Sequence, residues 1–444
     1  MKTLSKHKCR ATVVAAGSLL AMGLVANDVA AEGLFKELEG TIDHYGFKVG
    51  AWANAGITYN GNEPDNNFNG PVTFGDRASE FQLNQLNLFV QRAVATEGSA
   101  WDFGGRFDIM FGTDSVFTQA YGVPAFDVNT LAPMQRSTWD LDFLGSNSNR
   151  FYDFALPQAY LETYVPVGNG LNLKIGHFYT PIGFETVPAP DNFFYTHAYT
   201  MQYGEPFTHT GIMGNYTIDE HWAVMGGIVT GSSTGGWDGG WDQQLGNWDG
   251  LAGVTWTSTD KATSLNVAGT YGGTSEQSSQ SWGMYSIVLK HNINEKTHLM
   301  LQHDHGYANQ SFGFSGIADN EWYGINSHLY YDVSDKVVAG IRAEWFRDQN
   351  GFRVCSPGRV AAATDNKGVS YATGGNFLST CTPASYYEFT AGVTWKPKPW
   401  LSLRPNVRYD FVEDVATGAA LPFSNGSKAV TDQVLFSTDF TVTF

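Results

Sequence analysis

Cysteine is scarce in this 444-residue chain, with only Cys9, Cys355 and Cys381, and none stands in a Cys-x-x-Cys or Cys-x-x-Cys-His setting. That spacing excludes a thiolate zinc cluster and an attached haem. Basic residues are also few: 26 Lys plus Arg against 43 Asp plus Glu leave a formal charge of −17, which argues against a nucleic-acid partner. Charged residues of either sign make up only 16 % while aromatics reach 14 %, too apolar and ring-rich for a disordered chain. Beyond the first thirty residues no stretch approaches the ~18 uninterrupted apolar residues of a membrane helix. Walker loops, nucleophile elbows and haem-attachment motifs are missing as well, so no cofactor, no catalytic centre and no dedicated metal site is expected. What is plentiful is glycine, 50 residues, with 30 Phe, 21 Tyr and 13 Trp.

The first segment has the form of an export signal. Lys2, Lys6, Lys8 and Arg10 precede the apolar residues 11–26, and Val29-Ala30-Ala31 ends in the small residues a signal peptidase accepts. Cleavage after Ala31 is expected, leaving residues 32–444 as a single domain. Two cysteines then remain in an oxidising compartment, which predicts a Cys355–Cys381 disulfide over two free thiols. On the chain-entropy view such a bridge stabilises by roughly 3 to 4 kcal/mol.

Along residues 32–444 the dominant pattern is two-residue alternation, the period of a strand with one apolar and one polar face. Leu401, Leu403, Val407, Tyr409 and Phe411 share one parity, and Ser402, Arg404, Asn406, Arg408 and Asp410 the other. Trp101, Phe103, Phe107, Ile109 and Phe111 alternate with Asp102, Arg106 and Asp108, and Ile341, Ala343 and Trp345 with Arg342 and Glu344. Short polar turns occur near residues 96–98, 168–170, 219–220, 260–261, 294–296, 334–336 and 396–399. Between them fall longer connections, at 60–78, 113–155, 181–205, 233–247, 274–279, 309–319, 350–384 and 412–428.

Seven turns and eight loops separate about sixteen strands. Short turns on one side and long loops on the other define an all-β transmembrane antiparallel β-barrel, with periplasmic turns and extracellular loops. Hydrocarbon offers no partner for backbone N–H or C=O groups, so a sheet in a membrane closes on itself. The apolar parity then faces outer-membrane lipid and the polar parity faces a lumen. The chain ends in VLFSTDFTVTF, an alternating strand closed by Phe444, the kind of terminus read by barrel-insertion machinery.

Residues 176–211 carry Gly176, Phe178, the run Thr180-Pro181-Ile182-Gly183-Phe184-Glu185, Pro190-Asp191-Asn192, Tyr195, and Pro206-Phe207-Thr208-His209-Thr210-Gly211. This stretch resembles the signature region of the putative β-barrel porin-2 (OmpL-like) family of Gram-negative outer membranes. The resemblance implies a porin-like barrel for the whole exported chain, in the cell outer membrane, and names no solute. Pro181, Gly183, Glu185, Asp191, Asn192, Pro206 and His209 are its loop motif here. A proline-stiffened, aromatic loop of this length is expected to be ordered, either folded inward to narrow the pore or capping its neighbours outside.

Charges inside a membrane barrel face water or a partner. Lys48, Arg106, Lys174, Arg342, Arg404 and Arg408 are the basic lumen candidates, and Asp102, Asp108, Glu162, Glu344, Glu388 and Asp410 the acidic ones. If the last strands adjoin the first, Arg404 and Arg408 lie near Lys48 and Arg106 as one basic sector, opposed by an acidic loop; otherwise the charges pair across strands and hold the wall. Three weaker patterns remain. Trp237-Asp238, Trp241-Asp242 and Trp248-Asp249 are spaced unlike propeller blades and read as an aromatic rim or sugar-stacking platform. His303 and His305 share a parity with Leu299 and Leu301, which points them outward more readily than to a metal, and Asp65-Asn66-Asn67 lacks the spacing of a calcium loop. The expected function is a channel for passive diffusion of small hydrophilic solutes or ions, as a monomer or homo-oligomer. Its alternatives are a barrel that sheathes a partner and an outer-membrane lipid hydrolase.

Overall fold

The computed structural model describes residues 46–65, 67–118, 152–230, 248–273, 281–313, 316–354 and 382–444. The expected signal segment, Cys355 and Cys381, Trp237 and Trp241, and most of the acidic 113–155 loop lie outside the described residues.

Alternation becomes strand along the whole chain. The first group is β1 (Lys48–Asn60), β2 (Phe81–Arg92), β3 (Asp102–Gly112), β4 (Asp153–Val165), β5 (Leu171–Tyr179), β6 (Thr208–Thr217) and β7 (Trp222–Thr230). The second is β8 (Trp248–Thr257), β9 (Thr263–Gly273), β10 (Ser281–Asn294), β11 (Thr297–Gly313), β12 (Gly316–Ser334), β13 (Val337–Asp348) and β14 (Ala384–Lys398). Then come β15 (Leu401–Leu403) and β16 (Asn406–Glu413), a small hairpin of β17 (Phe423–Asn425) and β18 (Lys428–Val430), and β19 (Asp432–Thr443).

β15 and β16 are one stave. Both pair with β14 and β19, and Pro405 between them offers no N–H to the ladder, although its carbonyl still accepts from Val393 at 3.1 Å. Counting them once and leaving out the β17–β18 hairpin gives a closed barrel of sixteen antiparallel staves. Closure is made by β1 and β19, in register from Trp52 opposite Thr443 to Asn60 opposite Leu435, and by the Phe444 N–H donating to Ala51 O at 2.8 Å. The C-terminal strand therefore completes the wall, which removes the last open edge.

The seven short connections form one end, the periplasmic end by barrel architecture, and the long ones the other. One expected loop is corrected: β11 and β12 continue to Gly313 and Gly316, so most of 309–319 is strand, its ladder resuming at Ser311 opposite Ala318 after a register shift. The expected 412–428 loop likewise contains the β17–β18 hairpin.

The outer face is greasy in the literal sense. Phe81, Leu86 and Leu88 on β2, Phe103 and Phe107 on β3, Leu161 on β4, Ile212 on β6, Ile228 on β7 and Phe389 on β14 are all exposed, Leu161 by 71 %. In water such a continuous apolar belt would be an aggregation surface; in a bilayer it is the match to the hydrocarbon. The inner face is two-sided, which alternation alone did not indicate. Buried charges crowd its β13 to β19 side, whereas β6 to β12 turn Met213, Val229, Leu251, Ala268, Trp282, Met284, Ala308 and Trp322 inward into a buried apolar cluster that continues through Phe346, Tyr386 and Val412.

At the closing seam Asn54 of β1 donates to Asp439 of β19 at 2.6 Å and to Thr441 at 2.9 Å. Asn54→Leu is expected to lower the unfolding free energy by about 1 to 3 kcal/mol, since a buried acceptor loses its donor. Urea unfolding of the folded protein in detergent checks this, and an unchanged midpoint would place closure in the backbone ladder alone.

Candidate channel constriction

The loop between β5 and β6 enters the lumen. β5 stops where Pro181 removes a donor, and the limbs of the loop are clipped together at their base, with the Thr180 N–H donating to Phe207 O at 3.0 Å and the Thr180 hydroxyl 2.9 Å from His209 Nε2. Gly183 has φ +89°, and a Cβ there would lie 1.9 Å from the Glu205 carboxylate, so only glycine lets the outgoing limb pass the returning one. Asn192 fixes the middle: its side-chain amide donates to Pro188 O at 3.0 Å while its oxygen accepts from Thr186 N at 3.0 Å. A π-helical turn, Thr200–Gly204, brings the chain back towards Pro206.

The wall onto which this loop docks is built in two rows. Strand register sets Arg342 of β13 opposite Thr390 of β14, and Thr390 opposite Arg408 of β16. Two residues along the same face, Glu344, Glu388 and Asp410 follow one another across the same strands. A cationic row thus lies directly against a carboxylate row. Arg342 donates to Glu388 at 2.8 Å and to the loop's Glu185 at 2.6 Å, and Arg408 pairs with Asp410 at 2.8 Å.

Loop atoms fill the remaining valences. Glu344 accepts the N–H groups of Tyr199 and Thr200, both at 2.5 Å, at the start of the π-helical turn where a carboxylate is favoured. The Tyr199 hydroxyl donates to Asp410 at 2.7 Å, and Arg408 donates to His197 O at 2.5 Å. Further along, Arg404, paired with Asp439, donates to Ala189 O at 2.8 Å and Asn192 O at 2.7 Å, and Trp322 donates to Gly204 O at 3.0 Å.

The wall just beyond the closing seam holds the loop too. Tyr195 donates to Asn84 of β2 at 2.8 Å, and Gln85 donates to Val187 O at 2.8 Å while accepting from Ala189 N at 3.0 Å. A segment that leaves the wall at β5 and β6 and is bonded to β13, β14 and β16, about half-way round the sixteen staves, crosses the lumen. Ile182, Tyr199 and Tyr203 pack into the apolar cluster of β6 to β12, which accounts for the grease found on that inner wall.

Sequence reading misjudged the company of its charged candidates. Arg404 and Arg408 do not form an open basic sector with Lys48 and Arg106. Lys48 shares a row with Gln91 and Arg106, whereas Asp439, the partner of Arg404, shares one with Gly56 and Gln82, near the other end of β1. Parity gives the face of a residue and not its height. The loop lies on the Arg404–Arg408 wall instead of opposing it, so Glu185 neutralises Arg342 by contact. Arg106 is taken by Asp108 at 2.6 Å and lies 4.1 Å from the Phe89 ring centroid; Glu162 and Lys174 face each other in register, the ammonium 4.7 Å over Tyr160. His197, His328, Asn84, Gln85 and Asp439 were missed. Asp439 had a signal, standing with Ser437 and Thr441 on the polar parity of the last strand.

Electrostatics in the loops follow burial and partners. Burial raises the Glu185 carboxyl, but Arg342, His197 and His328 outweigh it and hold it well below the usual carboxylate range. Burial lowers the His197 imidazole against the pull of Glu185. Burial, followed by Asp304, drives Glu205 well above its ordinary value. Beyond β3, burial pushes Asp114 up to about 7 despite amide donors from Asn84 and Gln85, and Asp76 up to about 6 despite Gln82.

A closed barrel with a lipid-matched belt, crossed inside by an anchored loop, is an outer-membrane porin. Residues 46–444 match the family described as Putative beta-barrel porin-2, OmpL-like, and the chain belongs to that family. In fold it is similar to the anion-selective porin from Comamonas acidovorans, with 9 % identity, TM-score 0.54 and coverage of 90 % of this chain and 99 % of that one. It is similar also to Pseudomonas putida OprB, with 11 % identity, TM-score 0.54 and coverage of 92 % and 96 %, and to in-vitro folded OmpT, an outer membrane protein of Vibrio cholerae, with 9 %, 0.51 and coverage of 90 % and 97 %. Identities this low carry the fold alone. No curated protein is a significant sequence match.

Two outcomes test the constriction. Arg342→Met strands Glu185 and Glu388 without their guanidinium, a loss of about 3 to 5 kcal/mol for a buried pair broken on one side. The loop should loosen, seen as larger and noisier single-channel steps; wild-type steps would mean the loop is held elsewhere. Asp114, whose folded value is raised, contributes stability present below the ordinary Asp range and lost as pH rises through about 7. The unfolding midpoint should therefore fall from pH 5 to pH 8, and fall less in Asp114→Asn; parallel profiles for the two proteins would remove Asp114 as the cause.

Proposed function

We propose that this porin passes small hydrophilic solutes and ions by passive diffusion, and that the loop of residues 180–207 sets the width of the passage. The observation that carries this is the loop's crossing of a closed sixteen-stave barrel. Sixteen staves enclose an aqueous channel by size, and among the described residues this loop enters it together with Pro71 and Thr73, which bond Tyr203 and Gln202, and with Arg353, which donates to Tyr203 O.

Lys48, Arg106, Asp108, Glu162, Lys174, Arg342, Glu344, Arg404, Arg408 and Asp410 belong to the lumen wall on this reading, and Pro181, Gly183, Glu185, Asp191, Asn192, Pro206 and His209 to the constriction or its neck. Export through a signal segment ending at Ala31, a Cys355–Cys381 bridge, insertion guided by the Phe444 strand and assembly into oligomers are parts of the same proposal. A transport role also carries the reading that the chain is not an enzyme.

Refolded protein in planar bilayers should give step-like currents, and replacing residues 186–204 by a short Gly-Ser linker should enlarge the step several-fold. Absence of current at any salt, or lipid hydrolysis in its place, would overturn the channel reading; an unchanged step after shortening would move the constriction to another loop.

A further inference from the structure

Below the loop, towards the periplasmic turns, lies a cavity of about 680 Å³ whose ceiling is Phe184, Asp191 and Phe193 and whose wall includes Lys290, Tyr330 and Lys396. Small-molecule sites run from ~300 to ~1,000 Å³. One side of the cavity is a shelf of rings. Phe193 lies 4.6 Å from Tyr330 between centroids, over Gly340, where a Cβ would come within 2.5 Å of the Phe193 ring; the bare backbone of β13 is what lets that ring lie against the wall.

The charges of this cavity divide into carboxylates with a cation nearby and three lysines, Lys290, Lys336 and Lys396, none of which makes an ion pair with a described residue. Glu185 is committed to Arg342, Asp332 stands 3.2 Å from His298, Asp191 feels Lys396, and Asp335 adjoins Lys336 in the exposed turn. Of the lysines, Lys290 faces the lumen on β10, in the row that runs through Met300 to His328, and has its ammonium 4.9 Å over the Phe184 ring. Each arginine placed on the lumen wall, Arg106, Arg342, Arg404 and Arg408, is spent on a carboxylate. An ammonium left to a π-face in a water-filled vestibule is available to an incoming anion, and the neighbouring shelf offers stacking that a bare inorganic ion cannot use.

We propose that this vestibule is a binding subsite for aromatic carboxylates, the carboxylate on Lys290 and the ring on the Phe193–Tyr330 shelf. The proposal rests on the channel reading for its physiological sense, but the site itself is a binding property that equilibrium measurements reach without any current.

Benzoate titrated into the full folded chain in detergent, followed by calorimetry, should bind saturably, with benzyl alcohol and acetate each at least about tenfold weaker. Lys290→Gln should weaken benzoate by about tenfold and leave benzyl alcohol unchanged, while Lys290→Arg keeps benzoate binding. Folding of each variant is checked by its heat-modifiable gel mobility. Equal binding of benzoate and benzyl alcohol, equal binding of benzoate and acetate, or benzoate affinity indifferent to Lys290→Gln would each overturn the proposal. Currents without benzoate binding would sink the subsite and spare the channel; benzoate binding without currents would do the reverse.

Discussion

Three carboxylates in a row cannot be buried side by side unless something opposite holds them, and this constraint organises the interior of the barrel. Strand register forces Glu344, Glu388 and Asp410 together, because each sits opposite the next on β13, β14 and β16. The adjoining row of Arg342 and Arg408 cancels much of that charge, yet Glu344 has no cation of its own and takes the amide hydrogens of Tyr199 and Thr200. The wall is thus incomplete without the loop. The loop in turn carries Glu185, which has no place in an apolar interior except against Arg342. Each part supplies the counter-group that makes burial of the other tolerable, and covering the rows with loop removes water that would otherwise weaken the pairs.

The second face of the loop explains why the barrel is greasy within as well as without. A strand exposed to water on its lumen side would carry polar residues there. β6 to β12 carry Met213, Leu251, Trp282, Met284 and Trp322 because Ile182, Tyr199 and Tyr203 lie on them. The crossing loop is therefore buried like any core element, its Glu185 against Arg342 and its Tyr199 and Tyr203 rings against Tyr386 and Phe346 as well as the β6–β12 cluster. Glycine at 183 and the prolines at 181, 188, 190 and 206 restrict its path, which lowers the conformational cost of ordering so long a connection.

Strand number, the two ends and the membrane face were legible because they rest on period and turn chemistry, which are local. Ile341, Ala343 and Trp345 against Arg342 and Glu344 needed no partner strand to be read. The heights of residues were not legible, since a sequence carries neither the bulge between Asn54 and Ala55 nor the stagger of neighbouring staves, and these decide whether Arg404 meets Lys48 or Asp439. The same holds for His197 and His328, brought to Glu185 from a loop and a distant strand. The inward-folded loop was legible in composition but not in direction: rings and prolines announce order, while only the complementary wall says where that order is found.

Pairing also changes what the acidic composition means for a permeating ion. A charge of −17 spread over the chain would favour cations everywhere if it were free. Along the β13–β16 wall it is not free, because opposite charges touch within 3 Å and present dipoles instead of monopoles. The field of a tight pair dies away faster than that of a single charge, and the Debye length of about 8 Å at physiological salt shortens its reach in the water-filled parts. Selectivity is then left to the few uncompensated groups that touch water. In the vestibule Lys290, Lys336 and Lys396 make no ion pair with a described residue, and on the subsite proposal a solute leaving the constriction meets Lys290 beside the rings of Phe184, Phe193 and Tyr330.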